Sequence, residues 1–111
     1  MKKVIVINSE VFGRGSEELG KKLMGAFLKK IWASDTKPGQ IIFYNSGVKL
    51  LGPDSPVLDA LNALYDSGVD LLGCGTCISY YELDDKIKVG RVSNMEEIVA
   101  SFLDSDNVIT I

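Results

Sequence analysis

Apolar residues along this chain fall in short continuous runs that alternate with segments of helical spacing. Val4-Ile5-Val6-Ile7 is a β-branched run, the signature of a strand covered on both faces. Leu19, Leu23, Phe27 and Ile31 then recur at every fourth position, joined by Met24, Leu28 and Trp32. Lys21, Lys22, Lys29 and Lys30 lie mostly off that face, so the segment predicts an amphipathic helix with a wet lysine side. Ser16 is placed to cap it, with Glu17 and Glu18 in the first turn, where acids suit the helix dipole. Gly25 inside it costs about 1 kcal/mol relative to alanine and is expected to allow close packing against a neighbour.

Gln40 to Tyr44 reads as a second strand, and Asn45 to Asp54, with two glycines and Pro53, as a loop. Ser55 is expected to cap a helix with Pro56 at its first position and Gly68 just past its end. Val57, Leu58, Leu61, Leu64 and Tyr65 form its core face. Val69 to Gly73 is a third strand, a short helix spans about Thr76 to Leu83, and Lys86 to Val92 contains a fourth strand. Asn94 with Glu97 makes a capping box for a helix in which Met95, Ile98, Val99, Phe102 and Leu103 keep helical spacing. Val108 to Ile111 is a last strand.

Such β-α alternation with short connections argues for an α/β fold, one parallel sheet with helices on both faces. Its 111 residues suit a single domain, 1–111. In open sheets of this kind ligands bind beyond the carboxyl ends of the strands. The segments Asn8 to Gly15, Asn45 to Gly52 and Cys74 to Cys77 should therefore converge on one mouth.

Composition narrows the function. Hydrophobic residues make up 46% and charged residues 24%, ordinary for a soluble globular chain. The net charge is −3 and there is no long basic run, so no nucleic-acid partner is expected. No apolar stretch approaches the ~20 residues of a membrane span, so no membrane is expected either. The first apolar run is shorter than the roughly 7–15 residues of a signal-peptide core. These readings point to the cytoplasm, where thiols stay mostly reduced. The chain has no histidine, which removes Cys–His and Ser–His dyads within it.

The chemistry then concentrates on Cys74-Gly75-Thr76-Cys77, which holds both cysteines. At a strand end and helix start, helix N–H groups would favour a thiolate. One thiolate can attack an incoming sulfur species and the other can resolve the product. The competing reading is two small apolar core residues. A zinc site usually needs four ligands, and two cysteines without histidine do not supply them, so no metal or other cofactor is expected. A thioredoxin fold would place a proline on a later strand facing the motif, whereas Pro38, Pro53 and Pro56 all precede it. Dithiol redox activity stays open.

Around the thiols, Asn45 is a candidate hydrogen-bond donor, and Lys49 a cation able to favour a thiolate or persulfide. Arg14, in the turn Gly13-Arg14-Gly15, can present a cation to an anionic substrate. That turn does not complete a dinucleotide fingerprint, because Glu18 stands where the third glycine belongs. Of Tyr80 and Tyr81, one is expected in the core and one at the mouth.

Cys74-Gly75-Thr76-Cys77-x-x-Tyr80-Tyr81, followed by Val89-Gly90-x-Val92-Ser93-Asn94-Met95-x-x-Ile98-Val99, resembles the carboxyl-terminal domain of YedF-type proteins in the DsrE-like sulfurtransferase superfamily. Asn45-x-Gly47-Val48-Lys49 and Gly13-Arg14-Gly15 with Glu18-Leu19-Gly20 fit the same pattern. The resemblance implies a three-layer α/β/α domain with a five-stranded, mainly parallel sheet. It implies homo-oligomers and sulfur relay through a cysteine persulfide, with a selenium-metabolism label that is only associational. It assigns Cys74 as the nucleophile or carrier and Cys77 as the second, resolving thiol. Asn45, Gly47, Lys49, Arg14 and Tyr80 would shape the receiving pocket. YedF-type proteins carry a TusA-like domain with its own Cys-Pro motif, which this sequence does not contain, so a TusA-like donor or acceptor is expected as a separate partner. Glu82 stands where the pattern has glycine. The alternatives are a non-catalytic binding or assembly module of the same fold and a dithiol–disulfide switch.

Overall fold

A computed structural model describes residues 2–111. Five strands form one sheet in the order β4-β3-β2-β1-β5. They are β1 (Lys3–Ile7), β2 (Gln40–Phe43), β3 (Asp70–Cys74), β4 (Arg91–Ser93) and β5 (Asn107–Thr110). Every pairing is parallel. The helices are α1 (Glu17–Ala33), α2 (Leu58–Asp66), α3 (Gly75–Tyr80) and α4 (Met95–Asp104). The architecture is thus the three-layer α/β/α arrangement expected, with a sheet that is wholly parallel.

The strand order dictates the layers. From β1 to β4 the chain steps always toward the same edge, so right-handed crossovers leave α1, α2 and α3 on one face. From β4 it returns across the sheet to β5, and the same handedness puts α4 on the other face. The core divides accordingly. Ile5, Ile7, Ile41, Phe43 and Leu71 pack with Met24, Leu28, Leu61, Leu64 and Ile78 on the first face. Val4, Val6, Ile42, Leu72 and Cys74 pack with Ile98 and Phe102 on the second. Each fully buried Leu or Ile contributes about 1.5–3 kcal/mol relative to exposure.

Several local expectations shift. In α1 the buried positions are Gly20, Met24 and Leu28, while Leu19 is 55% and Trp32 50% exposed. The inward face is rotated because Gly20 carries the 8–15 loop: Phe12 donates its N–H to the Gly20 carbonyl at 3.1 Å. The segment Asn45–Leu51 is not a loop but two turns of 3₁₀ helix. The helix read from Pro56 begins at Leu58, and Ser55 caps only a local turn by accepting the Val57 N–H at 3.2 Å. On α4, Ile98 and Ser101 are buried, whereas Met95, Val99 and Leu103 form an exposed stripe on the outer side. The capping box there is half made. Asn94 accepts the Glu97 N–H at 2.8 Å, but the Glu97 carboxylate turns to Arg91 and Ser93 instead.

Gly25 also departs from expectation. A Cβ placed on it would meet nothing nearer than Val57 Cγ1 at 3.9 Å, an ordinary contact. No close approach requires glycine, so Gly25→Ala should stabilise the fold by about 0.5–1 kcal/mol through helix propensity. Urea unfolding measures this; a destabilised variant would contradict it.

Candidate functional site

The thiol pair lies where the connections diverge. The chain leaves β3 toward α3 on one face and leaves β4 toward α4 on the other. Such a switch point opens a crevice at the carboxyl edge of the sheet. Cys74 ends β3, in register with Ser93 of β4. Strand alternation turns its side chain to the α4 face with Leu72, and it is only 3% exposed. Its backbone caps α3 but its side chain makes no capping bond. The expectation that helix N–H groups would hold this thiol therefore fails in its detail: α3 has only six residues, and the Cys74 sulfur faces core.

Cys77, in the first turn of α3, is the half-buried member of the pair, packed against both core clusters. It lines an open cleft of about 370 Å³ with Asn45, Thr76, Tyr80 and Tyr81. The N–H on its sulfur comes from outside the helix: Asn45 donates its backbone N–H to Cys77 Sγ at 3.1 Å. Asn45 opens the 3₁₀ segment in a left-handed conformation, φ 51°. Burial pushes the Cys77 thiol above the usual cysteine range; the Asn45 N–H pulls against that rise, and the adjacent Cys74 adds to it. The resting site thus presents one half-buried, hydrogen-bonded sulfur to the cleft, with the second cysteine buried behind it. Both cysteines are free.

Both tyrosines line the cleft. Tyr80 is 79% exposed at the lip of the cleft, and Tyr81 packs partly into the core. Their rings meet edge to face at 5.1 Å. Tyr81 donates its hydroxyl to Asn45 Oδ1 at 3.2 Å, and Lys49 Nζ lies over its ring, 4.6 Å from the centroid.

The model of the DsrE/DsrF-like family matches residues 1–111. The chain belongs to the DsrE/DsrF-like family. No curated protein sequence matches it. Among solved structures it is similar to YchN from E. coli, at 20% identity and TM-score 0.68 over 99% of this chain and 98% of that one. It is likewise similar to MTH1491 from Methanobacterium thermoautotrophicum, described as of unknown function, at 19% identity and TM-score 0.72 over 99% and 98%. At these identities the likeness is one of fold.

Within this DsrE-family fold the other expected pocket residues stand differently. Arg14 is exposed on the 8–15 loop and is not among the residues lining the thiol cleft. Lys49 lies on the far side of Tyr81, paired with Glu10 at 3.6 Å, and fronts a separate cleft with Pro53, Asp54 and Leu83. Gly47 is buried within the 3₁₀ segment, against the end of β1, and shapes the site by close packing, not as a lining residue. Glu82 is exposed at φ 57°, a left-handed position that glycine would adopt without strain. Thr76 lies in the Cys74 to Cys77 segment expected at the mouth, whereas sequence reasoning allowed only one of the two tyrosines there and both line the cleft. The Tyr81–Asn45 bond crosses 36 positions and has no local signal.

Proposed function

We propose that the chain carries sulfur as a cysteine persulfide on the Cys74–Cys77 pair. The observation that carries this reading is a thiol opening into a cleft with a backbone N–H on its sulfur and a second thiol beneath it. General linkage of the DsrE family to sulfur relay agrees with it. The geometry favours Cys77 as the thiol that meets the donor and Cys74 as the inner partner, the reverse of the order the resemblance implies.

The transfer balances without an oxidant. Cys77 sulfur attacks the terminal sulfur of a persulfide donor, R–S–SH. The donor S–S bond breaks, Cys77–S–SH forms, and R–SH leaves with the proton. Attack by an acceptor thiol on the outer sulfur returns Cys77–SH. Cys74 can instead attack the inner sulfur, releasing hydrogen sulfide and closing a Cys74–Cys77 disulfide that an external thiol must reduce. No carboxylate or amine lines the cleft, so the Cys77 proton leaves to solvent and loading should rise with pH. A TusA-like partner and assembly with further copies of the chain belong to the same proposal. The exposed Met95, Val99 and Leu103 stripe supports the second.

Intact mass spectrometry after exposure to a persulfide donor tests it, with Cys74→Ser and Cys77→Ser in parallel. The expected result is one reductant-labile sulfur on the parent and on Cys74→Ser, and none on Cys77→Ser. Loss only in Cys74→Ser would restore the opposite order. Loss of two hydrogens in the parent, with no sulfur added to Cys74→Ser either, would make the pair a redox switch. An unchanged mass with both thiols free would favour a binding module.

A further inference from the structure

We propose that Tyr81 is a positioning residue for Cys77, acting through Asn45. The inference rests on the reading of Cys77 as the reacting thiol. Asn45 sits at φ 51°, a left-handed conformation that asparagine tolerates better than most residues but still at a cost relative to glycine, so contacts that hold it there matter. At Asn45 the hold is visible. Its side-chain oxygen accepts the Tyr81 hydroxyl at 3.2 Å while its own N–H reaches Cys77 Sγ at 3.1 Å. One residue thus receives a tether on its side chain and delivers a donor from its backbone. The tether itself is braced. The Tyr81 ring packs against the core, stands edge-on to Tyr80 and lies beneath Lys49, which Glu10 holds from the opposite side. Tyr81 follows Cys77 by four residues, so the device runs from α3 out to the 3₁₀ segment and back to the thiol of the same helix.

An N–H aimed at sulfur stabilises the thiolate more than the thiol. Removing the tether lets Asn45 relax from the left-handed region and takes the N–H off the sulfur. The other ionisable groups around Cys77 are Cys74 beneath it, Tyr80 and Tyr81 along the cleft, the Lys49–Glu10 pair beyond Tyr81, and Glu97 with Arg91 on the β4 side. Tyr81→Phe keeps the ring, its packing and every one of those groups but the Tyr81 hydroxyl itself. Asn45→Gly keeps the backbone N–H in a conformation glycine adopts freely, and removes the acceptor.

The test is the pH profile of Cys77 alkylation by neutral iodoacetamide in the full chain, followed by peptide mapping. Tyr81→Phe should raise the apparent pKa by about half a unit and slow alkylation below it about threefold. At high pH, where the thiol is fully ionised, the rate should match the parent. Asn45→Gly should leave the profile close to the parent's, because glycine holds the left-handed conformation without a tether, and Tyr81→Phe added to it should have no further effect. An unshifted Tyr81→Phe profile, a slowing uniform over all pH, or an equal Tyr81→Phe effect in the Asn45→Gly background would overturn the proposal. Profiles that shift as expected in a protein that takes up no sulfur would leave the positioning role standing and remove the sulfur-carrier reading instead.

Discussion

Gly47→Ala should lower stability by about 3 kcal/mol or more, the upper range of overpacking, and cut the melting temperature by about 10 °C. The reason is a collision that nothing nearby can relieve. A Cβ on Gly47 would lie 2.2 Å from the Ile7 carbonyl oxygen and 3.3 Å from the Ser9 nitrogen, both backbone atoms. That carbonyl accepts the Tyr44 N–H at 3.2 Å, which docks the start of the 3₁₀ segment on the end of β1. Making room would break this bond and push Asn45 away from Cys77, so the variant should also lose part of the thiol's hydrogen bond. Thermal unfolding followed by circular dichroism, alongside Gly25→Ala, gives the contrast. One glycine is required by a backbone contact and the other by none. A Gly47→Ala protein melting within about 2 °C of the parent would show that β1 and the 3₁₀ segment have slack.

The two glycines show why parts of this fold are legible in the sequence and others are not. Periodicity and caps are local, and they hold: Ser16 accepts the Leu19 N–H at 3.2 Å, and Gly68 takes φ 100° after α2. Alternation of strands and helices gives the parallel sheet, and the ends of its strands give the mouth. Which side of an amphipathic helix faces inward depends on partners far along the chain. Leu19 and Leu23 look like core until Gly20 meets the 8–15 loop. The site divides in the same way. Cys74-Gly75-Thr76-Cys77 announces the chemistry, but the inward turn of Cys74 follows from strand parity at one residue, below the precision with which a strand end can be read. Lys49 looks like a cation for the thiols, and only the placement of Glu10 and the Tyr81 ring shows it occupied elsewhere.

Arg91→Leu should destabilise the protein by about 1–2 kcal/mol at neutral pH, a figure discounted for a half-exposed cluster. The loss should shrink in acid. Arg91 donates from Nε and Nη2 to Asp70, each at 2.9 Å, and from Nη1 to Glu97 at 2.8 Å. Gln40 adds a bond to Asp70 at 3.0 Å, and the Ser93 hydroxyl donates to Glu97. The cluster therefore ties β2, β3, β4 and α4 together at an edge where β4 has only three residues of ladder. The Arg91 hydrogen bonds, helped by Ser93, hold the Glu97 carboxyl down to about 2, and those of Arg91 hold Asp70 below its ordinary value. Both groups have folded pKa values below their unfolded ones. Their stabilisation is complete above about pH 4.5 and is lost as the pH falls toward about 2. Without Arg91 the two carboxylates face each other unneutralised, so the variant gains from protonation where the parent loses. Urea unfolding at pH 7 and pH 3 should show the gap between parent and variant narrowing with acid; a gap independent of pH would assign the effect to packing of the arginine stem. Because Ser93 stands in register with Cys74, loosening β4 also loosens the wall behind the inner thiol. The same variant should expose Cys74 to alkylation more than it exposes Cys77.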